Sequence, residues 1–435
     1  MRVLVTSVFW RYFAIATQFA IVTLVAQRAS LEVAGVYFGL FGFVAVAYAA
    51  VGLGIPDGLV RRLPPLVRAN RTSEVLQILS TATATSVVST ALLGTLAVAI
   101  CSLVLDVPRA EVLLVALWWF GYALVFLAAQ ILTALCSPAW GAFVGYSAIN
   151  AAYLVIQVPY LLLSNAISIR GILTAAVVST SIAALVGGSI IALVLNRFRR
   201  RSATDEPSST NDVGLRDLTV IGFPMMIARL IQASLPWAPV WILLLVGTAG
   251  EAAIYAAASR LTVAVTSVVA AIRFSVRPRL VLLLTDEAES AIARFSRQCS
   301  AVAALPPACG ILGLTIAGVP VISAIFGADY VDAVPVLTVL MFGVLAEAFG
   351  GVSDEILKMS GRTYVVLLTL GAASAFQILV TPLVARSGVV FVGVVTAGAF
   401  AIQYFGQVAW LSRFTAIQIW PILPERFRYR AGEQK

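Results

Sequence analysis

Long apolar stretches alternate along this chain with short polar or charged segments. A helix needs about 20 apolar residues to cross a bilayer. The pattern therefore predicts twelve spans, at 4–26, 35–54, 75–104, 111–134, 142–163, 171–196, 217–247, 252–275, 299–325, 333–357, 363–385 and 388–412. Runs such as Ile182 to Leu195 stay apolar on consecutive residues, without the alternation of a transmembrane strand, so a β-barrel is excluded. The expected fold class is an all-α polytopic membrane protein. The first stretch could be mistaken for a signal peptide, but Arg11 interrupts it and no small-residue cleavage site follows, so it reads as the first helix.

Composition agrees with the pattern. Hydrophobic residues make up 61% of the 435 and charged residues only 11%, against roughly 25% charged in soluble domains. Histidine is absent, which removes the commonest general base and metal ligand. Cys101, Cys136, Cys299 and Cys309 show no ligand spacing and read as small apolar fillers. No metal and no cofactor is expected.

The net charge of +9 becomes informative once the basic residues are placed between spans. With the N-terminus in the cytoplasm, 21 of the 29 Lys and Arg fall on the cytoplasmic side. Four (Arg28, Arg109, Arg170 and Arg386) fall outside, and four lie within spans. That bias predicts both termini inside. The charge is then a topology signal that also suits anionic headgroups, and no nucleic-acid partner is expected.

The most polar stretch, Arg197 to Asp217, falls between the sixth and seventh spans. It predicts an N-lobe at 1–196, a cytoplasmic linker at 197–216, a C-lobe at 217–412 and a basic tail at 413–435. An ungapped offset of 218 superposes Arg11 on Arg229, Tyr37 on Tyr255 and Arg61 on Arg279. Six helices per half, both halves starting in the cytoplasm, would be parallel repeats, and transporters place substrate sites between such halves.

Charge that remains inside a span costs a few kcal/mol at least and marks candidate chemistry. Arg229 lies about 12 residues into the seventh span, roughly 18 Å deep at 1.5 Å per residue. Arg260 lies about 8 residues into the eighth, roughly 12 Å deep. Arg11 is the repeat partner of Arg229. Arginine stays ionised and offers a planar fork that fits phosphate oxygens. No acid lies within a turn or two of Arg229 or Arg260 on its own helix, so these arginines await a visiting anion or acids on other helices, and Arg11 could also snorkel. Arg273, near the end of its helix, reads as a snorkelling residue. Glu347, about 14 residues into the tenth span, is a candidate for proton coupling or for a static ion pair. Asp354 and Lys358 are spaced for an i,i+4 pair.

Four stretches carry a resemblance to a known family: Gly35-Val-Tyr37 running on to Gly52-Leu-Gly54 and Gly58-Leu-Val-Arg61; Phe223-Pro224 followed by Ala253-Ile-Tyr255-Ala-Ala-Ala-Ser-Arg260; Ile325-Phe-Gly-Ala-Asp-Tyr330 leading into Ala333; and Lys358-Met-Ser-Gly361-Arg362. In their order and spacing the chain resembles the polysaccharide transporter, O-antigen-flippase-like branch of the multidrug/oligosaccharidyl-lipid/polysaccharide flippase superfamily. The resemblance implies twelve helices in two MATE-like six-helix bundles around a central cavity. It implies a flippase, not an enzyme, that moves an undecaprenyl-diphosphate-linked oligosaccharide by alternating access across the bacterial cytoplasmic membrane. The cationic cavity role would fall on Arg11, Arg229 and Arg260, with H+ or Na+ as coupling ion and a monomer as the working unit. The alternatives are a multidrug exporter of the same superfamily, which favours cavity acids, and a lipid II flippase, which usually carries two further helices.

Overall fold

The computed structural model describes residues 2–69, 71–104, 109–164, 166–201, 215–285, 289–415, 417 and 419. Most of the expected linker and nearly all of the expected basic tail lie outside these. The chain divides into two compact units, Met1–Trp237 and Ala238–Lys435. That division falls inside the segment read as the seventh span.

The first unit contains α1 (Arg2–Arg28), α2 (Leu31–Ala47), α3 (Ile55–Arg68), α4 (Thr72–Val104), α5 (Arg109–Ala134), α6 (Pro138–Ala142), α7 (Ile149–Leu163), α8 (Ile169–Arg201) and α9 (Leu215–Ser234). The second contains α10 (Ala238–Val246), α11 (Ala249–Thr285), α12 (Glu289–Phe326), α13 (Ala333–Gly350), α14 (Ser353–Met359), α15 (Thr363–Val384) and α16 (Val389–Phe414). The described chain is all-helical, as the apolar pattern requires. Among the described residues, ten helices are long and apolar enough to cross a membrane, and an eleventh forms if α9 and α10 count as one broken span. The first expected span forms α1, 27 residues long. Exposed side chains such as Leu163, Leu185 and Leu383 suit a surface bathed in acyl chains.

Besides the break between α9 and α10, other expected spans prove irregular for local reasons. The span at 35–54 does not end at Gly54. A 3-10 turn, Tyr48–Gly54, leads straight into α3. Gly52, Leu53 and Gly54 hold φ of 61°, 52° and 84° there, a left-handed run that two glycines permit. The span at 142–163 contains a π-helical segment, Phe143–Ala148, between α6 and α7. The span at 333–357 breaks at Gly351, where φ is 62° and ψ is −129°, a conformation open in practice only to glycine. The Asp354–Lys358 pair forms on α14, with Nζ 2.7 Å from Oδ2.

The seam between α3 and α9 is built on backbone contact. A side chain at Gly222 would strike the Gly54 carbonyl, and one at Gly58 would strike the Leu218 carbonyl. Small residues at such crossings let backbones approach in membrane helices. The buried residues of α9 are Leu218, Gly222 and Met226, one helical stripe at i, i+4 and i+8. Below this seam Leu59, Leu63, Val75, Leu79 and Ile131 form an apolar core.

Each unit also ties its repeat-related tyrosine to a buried glutamine. In the first, Gln157 Nε2 on α7 donates to the Tyr37 hydroxyl on α2 at 3.0 Å. In the second, the Tyr255 hydroxyl on α11 lies 2.8 Å from Thr396 Oγ1 on α16. Gln377 Nε2 on α15 donates to that same Thr396 oxygen at 3.3 Å. Gln157 and Gln377 stand 220 apart in sequence, close to the offset that pairs the two tyrosines.

Candidate functional site

Arg229 continues the buried stripe of α9, three residues beyond Met226. This places its guanidinium inside the first unit, beside the left-handed turn that starts α3. There Nη2 forms an ion pair with Oδ1 of Asp57. Asp57 sits in the first turn of α3, a favourable place for a carboxylate because the helix dipole is positive there. The Asp57 side chain is 7% exposed and that of Arg229 23%. The guanidinium also lies over the Phe126 ring, 4.7 Å from its centroid, within cation–π range. Its other terminal nitrogen, Nη1, is buried and has no hydrogen-bond partner among the described residues.

Arg229 lines a cavity of about 600 Å³ inside this unit. Tyr48, Tyr122, Phe126 and Tyr146 supply aromatic walls, and Gln18, Gln130 and Asn150 supply amides. The Tyr48 ring lies tilted to Tyr122 at 5.4 Å and edge-on to Phe126 at 5.0 Å. The π-helical segment presents Tyr146 here. Asn150 Nδ2 donates to the Tyr146 carbonyl at 2.5 Å, while its Oδ1 is buried and accepts nothing among the described residues. The cavity thus holds one unsatisfied donor on a cation and one unsatisfied amide acceptor, between aromatic faces. That combination can receive an anionic group with a hydroxyl-bearing or flat neighbour.

The other expected site residues are placed differently. Arg260 lies on α11 of the second unit and is partly buried. It therefore falls in a different unit from Arg229. Arg11 lies on α1, but its side chain is outside the described residues, as is that of Arg273. Glu347 is buried on α13, 3% exposed, and its Oε1 accepts a hydrogen bond from the Tyr404 hydroxyl on α16 at 3.0 Å. Asp57 is the partner of Arg229 that the sequence reading missed. No group of three or more His, Cys, Asp or Glu could hold a metal ion among the described residues.

Outside the spans, Tyr330 follows the left-handed Gly327 in the loop before α13, and its phenol is pushed up from the usual range by burial first and Asp329 second.

No protein-family model and no curated protein sequence matches the chain. Solved structures do. One is an inward-facing multidrug resistance MATE family transporter of the MOP superfamily, with TM-score 0.64, 14% identity, and coverage of 90% of this chain and 93% of that one. Another is the lipid II flippase MurJ in an inward closed conformation, with TM-score 0.65, 12% identity, and coverage of 94% and 86%. A third is a mutant form of the Vibrio cholerae MATE transporter VcmN, with TM-score 0.54, 17% identity, and coverage of 93% and 94%. The chain therefore has the polytopic helical fold that these transporters and this flippase share.

Proposed function

We propose that the protein is a flippase of the MOP superfamily, not an enzyme. It carries an undecaprenyl-diphosphate-linked oligosaccharide across the bacterial cytoplasmic membrane by alternating access, with both termini in the cytoplasm. The observation that carries this reading is Arg229, a cation with a buried, unpartnered Nη1 that lines a cavity with aromatic and amide side chains. Half of the guanidinium fork is held by Asp57, and the other half keeps an unused donor that a phosphate oxygen would satisfy. The aromatic walls and Asn150 Oδ1 suit sugar rings and their hydroxyls. Arg260 and Arg11 serve as further cationic contacts along the path, and Glu347 on Tyr404 takes up the coupling proton. Fold likeness to MurJ supports movement of a lipid carrier of this kind.

One observation favours a multidrug exporter instead. Arg229, whose charge is met by Asp57, sits in a cavity walled by four aromatic rings, and aromatic faces are chemistry for an organic cation. The MATE structures support that reading by fold.

Reconstituted vesicles separate the two. Wild-type protein should move a fluorescent polyprenyl-diphosphate oligosaccharide between leaflets and leave ethidium unmoved. Arg229→Ala should abolish lipid movement while the protein still inserts. Ethidium export without lipid movement would transfer the assignment to the exporter.

A further inference from the structure

The first unit carries a second cationic hollow that the reading of the Arg229 cavity does not use. It has a volume of about 430 Å³ and is lined by Arg61, Arg62, Pro65 and Leu66 of α3 and Ile221 of α9. Arg61 follows Asp57 by one helical turn, so the hollow lies on the same α3–α9 seam as the ion pair. Helix α3 is amphipathic: Leu59 and Leu63 are buried in the core, and Arg61 and Arg62 are exposed.

These two arginines differ from their neighbours in what they touch. Arg229 is held by Asp57, and Arg71, at the start of the next helix, is held by Glu74 at 2.5 Å. Arg61 and Arg62 have no acidic partner and no hydrogen bond among the described residues. Consecutive guanidiniums at one hollow repel each other until an anion joins them. A diphosphate offers enough oxygens for a bidentate contact to each. The remaining wall is apolar, which a free inorganic anion would not use and a lipid tail would.

We propose that this hollow is a binding site for a phosphorylated lipid headgroup, with the phosphates on Arg61 and Arg62 and the first tail carbons against Pro65, Leu66 and Ile221. The shared chemistry is a phosphate on an apolar stem, supplied by an isoprenyl diphosphate or by a bulk anionic phospholipid. The site stands apart from the Arg229 cavity and does not rest on which cargo the protein moves.

The test measures binding to full-length, detergent-purified protein by thermophoresis, with variants first checked for unchanged melting. Three probes are used: farnesyl diphosphate, inorganic pyrophosphate and short-chain phosphatidylglycerol. Farnesyl diphosphate should bind about tenfold more tightly than pyrophosphate, because the stem adds apolar contact. Arg61→Gln with Arg62→Gln should weaken farnesyl diphosphate at least tenfold. Arg61→Lys with Arg62→Lys, which keeps the charge but loses the fork, should fall between. Ile221→Ser should bring farnesyl diphosphate towards the pyrophosphate level. Phosphatidylglycerol binding as tightly as farnesyl diphosphate, with the same dependence on Arg61 and Arg62, would identify bulk lipid as the source. Weaker phosphatidylglycerol binding would identify the isoprenyl diphosphate. Unchanged binding in the double Gln variant overturns the proposal. So does an equal loss in Arg68→Gln, an exposed arginine of α3 outside the hollow, since that would describe a diffuse basic face. Equal binding of pyrophosphate and farnesyl diphosphate overturns the lipid stem. Binding that depends on Arg61 and Arg62, beside transport that survives Arg229→Ala, would sustain this site and sink the cavity reading.

Discussion

Tyr37 in the first unit and Tyr255 in the second stand at related positions, and each is tied to a network that includes a glutamine. The charges set beside these matching scaffolds are not alike. The first unit holds a guanidinium against a carboxylate, Arg229 on Asp57, in a residue that also lines a cavity. The second buries a carboxylate, Glu347, against the Tyr404 hydroxyl. Two helical units with similar internal polar clasps can therefore each hold a different intramembrane charge. Burying charge is costly and needs local partners, so such charge follows function more closely than fold. The first unit sets a cation on a carboxylate beside a cavity, and the second sets a carboxylate on a hydroxyl.

The backbone seam of the first unit offers the largest way to break the comparison. Gly222→Leu should cost about 3 kcal/mol or more, because its side chain meets the Gly54 carbonyl, which cannot rotate away. Monodisperse protein in detergent should be largely lost. Gly371→Ala, on α15 of the second unit, has nothing within 4 Å of the new methyl and should melt within a degree or two of wild type. Equal behaviour of the two would show that the α3–α9 contact does not define the first unit.

Next comes the ion pair. Asp57→Ala leaves Arg229 without its only acid among the described residues. Breaking a buried pair from one side costs about 3–5 kcal/mol, and the partial exposure of Arg229 brings the expected loss to about 2 kcal/mol. Asp57→Asn with Arg229→Gln should recover part of it. A double-mutant cycle read by thermal melting should give a coupling of about 1–2 kcal/mol. Additive losses would mean that Arg229 is held by the Phe126 face and not by Asp57. In the second unit, Glu347→Gln keeps an acceptor for Tyr404 and should leave melting nearly unchanged. In vesicles, however, it should remove the dependence of transport on an imposed proton gradient. Transport that keeps this dependence in the variant would take the coupling role away from Glu347.

Much of this was legible in the sequence. Span positions follow from runs of about twenty apolar residues, and every expected span lies on helices. Arg229, Arg260 and Glu347 stood out because charge in an apolar run is rare. Asp57 did not, because it follows Gly54-Ile-Pro56 and precedes two arginines, a local composition that reads as a cytoplasmic loop. A stripe signal was present on α9, where Leu218, Gly222, Met226 and Arg229 share one face, but the partner of that face comes from 172 residues away. Helix breaks were also hidden. Gly351 needs its glycine for one φ, and no window average registers one dihedral. An acid on the same helix can be read from spacing, whereas the acid that pairs with Arg229 depends on which backbones touch.

The finest distinction lies in the two tyrosine clasps, and it should yield the smallest effects. In the first unit the Gln157 amide has its donor bond to Tyr37, and its Oε1 accepts nothing among the described residues. Tyr37→Phe therefore strands the whole amide, and a buried polar group left without partners costs about 1–3 kcal/mol. In the second unit Thr396 keeps two other bonds when Tyr255 loses its hydroxyl. It donates to the Val392 carbonyl at 3.1 Å and accepts from Gln377 at 3.3 Å. Tyr255→Phe should thus cost only the net value of one hydrogen bond, about 0.5–1.5 kcal/mol. The ordering is the sharper test, since both substitutions remove the same atom from a fully buried ring. If Tyr255→Phe proved the more damaging in thermal melting, the threonine would not be a buffer, and the two clasps would differ in some way other than hydrogen-bond count.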